Sequence, residues 1–215
     1  MMDFRRIKAL IFDLDYTLID SSAGIVYCFN EARRRAGEPE VEPAKLVARI
    51  GLPIEDGFKV FGSKDPVAMR ELFRQIARDG TMALRSFLLP GVAETLPALK
   101  ERGYRLAVAS TKSRPEIERV LEHFQVHRHF ETFVGSDEVT NPKPAPDPLL
   151  LAMQRLAVTP KETTYVGDHV VDVQAAKAAG VRMIAVEGGP CGRGEVEKEG
   201  PDLFLKGISG LLDYL

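Results

Sequence analysis

Two aspartates one residue apart, Asp13 and Asp15, close the apolar run Ala9-Leu10-Ile11-Phe12. Carboxylates are costly inside a packed sheet, so the pair belongs at the C-terminal end of a buried strand, the edge at which open parallel sheets bind ligands. The pattern recurs later in the chain. Leu106-Ala107-Val108-Ala109 runs into Ser110 and Thr111, and Thr163-Thr164-Tyr165-Val166 runs through Gly167 into Asp168, with Asp172 beyond it. Parallel strands gather such ends along one crevice, so Asp13 and Asp168 can bind one ion. Carboxylate oxygens without His or Cys favour Mg²⁺, whose octahedral shell leaves room for water and a substrate phosphate.

Phosphate on the metal would give the other polar residues roles. Asp13 is the candidate nucleophile, attacking phosphorus in line to form an aspartyl-phosphate. Asp15 can protonate the leaving oxygen and later deprotonate the attacking water. The Ser110 hydroxyl and the Lys143 ammonium can hold the phosphoryl oxygens. Asp172, one helical turn after Asp168, can hold either a metal-bound water or Lys143. Lys143 lies in Asn141-Pro142-Lys143-Pro144-Ala145-Pro146-Asp147, where three prolines stiffen the backbone and a cis Lys143-Pro144 bond is open.

The elements that must position these groups alternate between strand and helix, which predicts an α/β fold, a doubly wound and mostly parallel sheet with a Rossmann-like core. Helices are expected from about Val92 to Arg102, from a Ser113/Glu116 capping box onward, over Pro148 to Leu156, and through an alanine-rich stretch ending at Gly180. Short strands are expected at 132–135, 183–186 and 203–205. After Asp15 the segment 16–21 reads as a tight turn or small flap. Ser21 or Ser22 is positioned to cap a helix that Gly37 and Pro39 end. Helical signals then continue to about Met82, with Ile54, Phe58 and Phe61 in one stripe and Met69, Leu72, Phe73 and Ile76 in another. We therefore divide the chain into a catalytic core, residues 1–18 and 87–215, and a helical cap, residues 19–86.

Composition narrows the field further. With 29 basic and 31 acidic residues interspersed, the formal charge of -2 offers no face for nucleic acid or an anionic membrane. Cys28 and Cys191 fit no disulfide or zinc spacing, and neither a signal peptide nor a membrane-length apolar run is present. The expectation is a cytoplasmic enzyme, monomer or homodimer, acting on a small phosphorylated metabolite.

Taken together, the motifs resemble those of the haloacid dehalogenase-like superfamily of hydrolases, of the phosphoglycolate phosphatase type. Asp13-x-Asp15-x-Thr17 is similar to the first family motif, Ser110 after its apolar strand to the second, Lys143-Pro144 to the third and Gly167-Asp168-x-x-x-Asp172 to the fourth. The resemblance spans about Ala9 to Val186. It implies that Asp13, Asp15, Asp168 and Asp172 form the metal side, with Asp15 reaching Mg²⁺ through its backbone carbonyl. It also implies that Thr17, Ser110, Thr111 and Lys143 face the substrate, and that the helical insertion is a cap whose Arg49-Ile50-Gly51-Leu52-Pro53 loop governs specificity. The second motif reads Ser110-Thr111-Lys112 where relatives often have Thr-Asn-Lys, which bears on substrate identity. Asp15 argues against a dehalogenase. The resemblance makes phosphoglycolate the leading substrate, with a β-phosphoglucomutase-type phosphosugar mutase as the alternative. A receiver-like phospho-switch would have little use for an acid beside the nucleophile.

Other features read as surface. His123, His127 and His129 follow an amphipathic helix with no acid to orient them, so a metal cluster is not expected. Arg33-Arg34-Arg35 reads as a solvated helix face, and Gly188-Gly189-Pro190-Cys191-Gly192 as a mobile loop without phosphate-loop spacing.

Overall fold

The computed structural model describes residues 4, 6–51 and 53–215; Leu52 of the expected specificity loop lies outside them. In chain order the strands are β1 (Ala9–Phe12), β2 (Ile19–Asp20), β3 (Phe87–Leu88), β4 (Arg105–Ala109), β5 (Thr132–Val134), β6 (Thr163–Gly167), β7 (Arg182–Val186) and β8 (Leu203–Leu205). Six of them form a parallel sheet in the order β5-β4-β1-β6-β7-β8. β1 is central and fully buried. Its side chains alternate, Leu10 and Phe12 packing into the core on one face and Ala9 and Ile11 into that on the other. Register fixes the site, because Phe12 pairs with Val108 on one side and Val166 on the other, so that Asp13, Ser110 and Asp168 leave the sheet along one edge.

The helices are α1 (Ser22–Arg35), α2 (Pro43–Val47), α3 (Ile54–Val60), α4 (Pro66–Ile76), α5 (Met82–Leu84), α6 (Val92–Glu101), α7 (Arg114–His123), α8 (Asp147–Arg155), α9 (Val170–Ala179) and α10 (Arg193–Lys198). The first five lie between β2 and β3, which pair antiparallel as Ile19 with Leu88 and Asp20 with Phe87. The chain thus leaves the sheet and returns to it through a two-stranded ribbon. Aromatic packing holds the helices of this insertion together: Phe29 of α1 stacks on Phe58 of α3 at 4.0 Å, and Phe73 of α4 meets Phe58 edge-on. This cluster is continuous with the apolar layer on one face of the sheet, and α5 packs on α7.

Local chemistry departs from the expected pattern at two points in α1. Ser21 occupies the N-cap position but its hydroxyl donates to Asp15 instead of capping the helix, while Asp20 Oδ1 accepts from Ser22 N (2.9 Å) and Ser22 Oγ (2.6 Å). Arg33 is buried, not solvated. It donates to the Pro39 carbonyl and Ser63 Oγ and pairs with Glu38 at 3.1 Å, tying α1 to the following turn, whereas Arg34 and Arg35 pair with Glu31 at the surface. The Ser113/Glu116 capping box of α7 is present, and α9 ends at Gly180 with φ +69°. No described helix is long and apolar enough to cross a membrane.

Candidate active site

Lys143 organises the floor of the crevice. The Lys143-Pro144 bond is cis, and the side chain runs inward until only 3% of the residue is exposed. Its ammonium donates to Asp13 Oδ1 (2.7 Å), Asp172 Oδ1 (2.6 Å) and the Tyr165 hydroxyl (2.9 Å), which uses all three protons. Burial works against that charge, but Asp13 and Asp172 outweigh it and hold the lysine pKa above its ordinary value. Tyr165 Oη also stands 3.1 Å from Asp172 Oδ1 and from the Ala109 carbonyl.

Asp172 is a supporting member of this floor. It is the N3 residue of the capping box that starts α9, and its Oδ2 accepts from the backbone N–H of Asp168 (3.2 Å) and His169 (3.0 Å) while Oδ1 takes Lys143. Lys143, one of the two alternatives for Asp172, is met directly at 2.6 Å. Asp168 sits beside it, buried, with Thr17 Oγ1 donating to its Oδ1 at 3.2 Å.

Carboxylate oxygens of Asp13, Asp168 and Asp172 lie within 4.8 Å of one another. Burial raises the pKa of Asp13 to about 7 despite Lys143, with Asp172 and Asp15 adding repulsion. Burial, Asp172 and Asp13 also push Asp168 well up. An all-oxygen set whose burial, together with mutual repulsion, outweighs what one lysine relieves fits a hard divalent cation. Asp15 stands outside that trio. Its carboxylate accepts from Ser21 and, at 2.7 Å, from Lys112 Nζ.

The rest of the expected set is spread along the same edge. Ser110 is buried and accepts from the Lys112 N–H at 3.3 Å. Thr111, Lys112, Asp15 and Arg49 line a cavity of about 70 Å³ between the helical insertion and the start of α7. Arg49 is exposed at its rim, in the turn after α2. Gly51, with φ +105°, packs so closely on the His169 ring that a Cβ there would come within 3.0 Å of it, which brings the insertion's loop onto the start of α9.

Several residues in the site carry little or no sequence signal. Lys112 and Ser21 are partners of Asp15 across 97 and 6 positions, and nothing local announces the pairing. Tyr165 has a signal, since a tyrosine in a strand buried on both faces must find a partner for its hydroxyl. Gly188 and Gly189 do not behave as a free loop: a Cβ on Gly188 would overlap the Tyr16 carbonyl and one on Gly189 would overlap Asp168 Oδ2. Paired glycines after a strand signal such close backbone approach. Of the three histidines, His123 is exposed, while His127, stacked on Phe133, and His129 are half-buried.

A buried lysine bridges two aspartates at the C-terminal edge of the parallel sheet, the edge at which such sheets bind ligands. The family model described as haloacid dehalogenase-like hydrolase matches residues 10–186, and the chain belongs to that family. It is 31% identical to a phosphoglycolate phosphatase of Escherichia coli O157:H7, over 100% of this chain and 95% of that protein. Among solved structures, a Bacteroides fragilis protein described as a haloacid dehalogenase-like hydrolase superposes with a TM-score of 0.86 at 33% identity, covering 95% of this chain and 99% of the other. CbbY from Rhodobacter sphaeroides, in complex with phosphate, superposes with a TM-score of 0.80 at 26% identity, covering 95% of this chain and 96% of the other.

Proposed function

We propose that this hydrolase is a Mg²⁺-dependent phosphatase of small phosphomonoesters, with phosphoglycolate as the leading substrate. The observation that carries the reading is the Lys143 ammonium held between Asp13 and Asp172, with Asp168 alongside. Asp13 and Asp168 would hold the ion through their carboxylates and Asp15 through its main-chain carbonyl, with Asp172 fixing Lys143 and the loop of Asp168. When bound, the ion supplies positive charge that offsets the crowded carboxylates and the incoming phosphate.

In the proposed reaction an Asp13 carboxylate oxygen attacks phosphorus, the ester P–O bond breaks, and Asp15 gives its proton to the leaving oxygen. Water then attacks phosphorus, Asp15 takes the water's proton, and inorganic phosphate and free Asp13 are released. Lys143, Ser110 and main-chain N–H groups of the crevice oppose the charge that gathers on the transferring oxygens, while Thr17 steadies Asp168. We also propose that residues 19–86 act as a cap that covers the crevice during transfer and excludes bulk water, the remaining chain being the catalytic core. Thr111 and Arg49 line the cavity between the two parts, which supports a role for them at the organic portion of the substrate.

The test is a screen of phosphorylated metabolites with Mg²⁺, read as released phosphate, with Asp13→Asn as the blank. The expected outcome is Mg²⁺-dependent release from phosphoglycolate and a fall of about 10⁴-fold or more in Asp13→Asn with its melting temperature retained. Full turnover in that variant would refute Asp13 as nucleophile, and interconversion of sugar phosphates without net release would favour the mutase.

A further inference from the structure

The floor residues account for a phosphoryl group, but they leave one buried cation unexplained. Lys112 follows the strand end that carries Ser110, and its side chain is only 9% exposed. Its ammonium lies 2.7 Å from Asp15 Oδ2 and 3.4 Å from Ser21 Oγ, above the floor and not on it. It also lines the cavity beneath the helical insertion, together with Arg49 and Arg74. The acids lining that cavity among the described residues are Asp15 and Glu116. Glu116 is already committed, since Oε2 accepts from both the Ser113 N–H and the Ser113 hydroxyl. Three cations therefore face a space in which the carboxylate open to exchange is that of Asp15. The cavity, about 70 Å³, has room for a carboxylate on a short stem.

We propose that Lys112 determines specificity by changing partners: it binds Asp15 in the free enzyme and the carboxylate of a short phosphorylated carboxylic acid in the complex. The exchange lets the substrate's own anion turn the Asp15 side chain loose from Lys112, so that Oδ2 can face the leaving oxygen. Thr111 and Arg49 flank the same place and complete the carboxylate's surroundings. This inference rests on the phosphatase reading but assigns a residue and a second recognition group that the floor does not require.

The experiment compares phosphoglycolate with ethyl phosphate, which has the same reach without the carboxylate, using the full chain with Mg²⁺. For the wild type, kcat/KM should favour phosphoglycolate by about 10- to 100-fold, the range expected when a charge-assisted hydrogen bond is made to only one of two substrates. Lys112→Met should lower that preference about tenfold or more, with the loss on phosphoglycolate falling in KM, and Lys112→Arg should restore most of it. A preference unchanged within twofold in Lys112→Met overturns the proposal. So does a wild-type preference below about threefold, a result that needs no variant to fold. Turnover of both esters at equal rates sinks only the role of Lys112. Release from neither ester sinks the phosphatase reading and this inference with it.

Discussion

The floor and the roof of the crevice are built on opposite rules. On the floor, Asp13, Lys143, Tyr165, Asp168 and Asp172 are all buried, and each is tied to another member or to the backbone of β4 or α9. On the roof, Arg49 is exposed, Arg74 is only partly covered and held by Glu71 at 3.3 Å, and Lys112 has one exchangeable carboxylate partner. Low dielectric makes the floor's hydrogen bonds strong and any unpaired group there expensive. At the exposed part of the roof, Arg49, a single side chain can be replaced at little cost to the fold. On the proposed function, the contrast puts chemistry and selectivity in regions with different tolerance to change.

The sharpest way to break the comparison is Lys143→Met. It strands Asp13 and Asp172 without their cation, so it should destabilise the fold by about 3–5 kcal/mol and lower kcat by about 10²-fold or more. Denaturant unfolding beside phosphate release checks both, and a stable, active variant would mean the floor is not held by that ion pair. Gly189→Ala comes next. Its Cβ would overlap Asp168 Oδ2, so we expect a cost of about 1–3 kcal/mol and weaker Mg²⁺ binding, read by calorimetric titration.

A third test uses pH. The folded-state pKa of Asp13 lies near 7, above its ordinary 3.8, so the folded protein holds that proton more tightly than the unfolded chain. Stability of the metal-free protein should therefore fall as pH rises from about 4 to about 7, with Asp168 acting in the same direction. Mg²⁺ should raise the melting temperature more at pH 8 than at pH 5, because the carboxylates it binds are then ionised. A metal-free melting temperature that climbs between pH 5 and 8 would count against this account. The smallest effect belongs to the roof: Arg49→Ala should raise KM about two- to fivefold while moving stability by less than about 0.5 kcal/mol, in steady-state kinetics and thermal melts.

How much was legible follows the same divide. The floor can be read because Asp13 and Asp168 interrupt apolar strands at the point where burial becomes too costly, parallel topology then places those points together, and Asp172 follows Asp168 by one helical turn. Lys143 stands out because prolines on both sides leave it no other local role. The strand and helix order comes from apolar periodicity, and boundaries such as Val92–Glu101 and Thr163–Gly167 differ from it by a residue. The roof is hidden because its contacts are choices among long, flexible side chains. Nothing near Lys112 states that it meets Asp15, and nothing in Arg33-Arg34-Arg35 states that only the first turns inward. Gly188 and Gly189 announce a close backbone approach but not its partner, because Tyr16 lies far away in the chain.

The central position of β1 has a consequence for how the molecule comes into being. Its partners are β4, about a hundred residues later, and β6, later still, so the strand emerging first from the ribosome waits for most of the chain before both its edges are covered. Until Thr163–Gly167 arrives, the segment that ends in Asp13 carries an unpaired apolar edge. Closure of the crevice during synthesis is accordingly a late event, since Asp168 and Asp172 join Asp13 only once β6 has paired with β1.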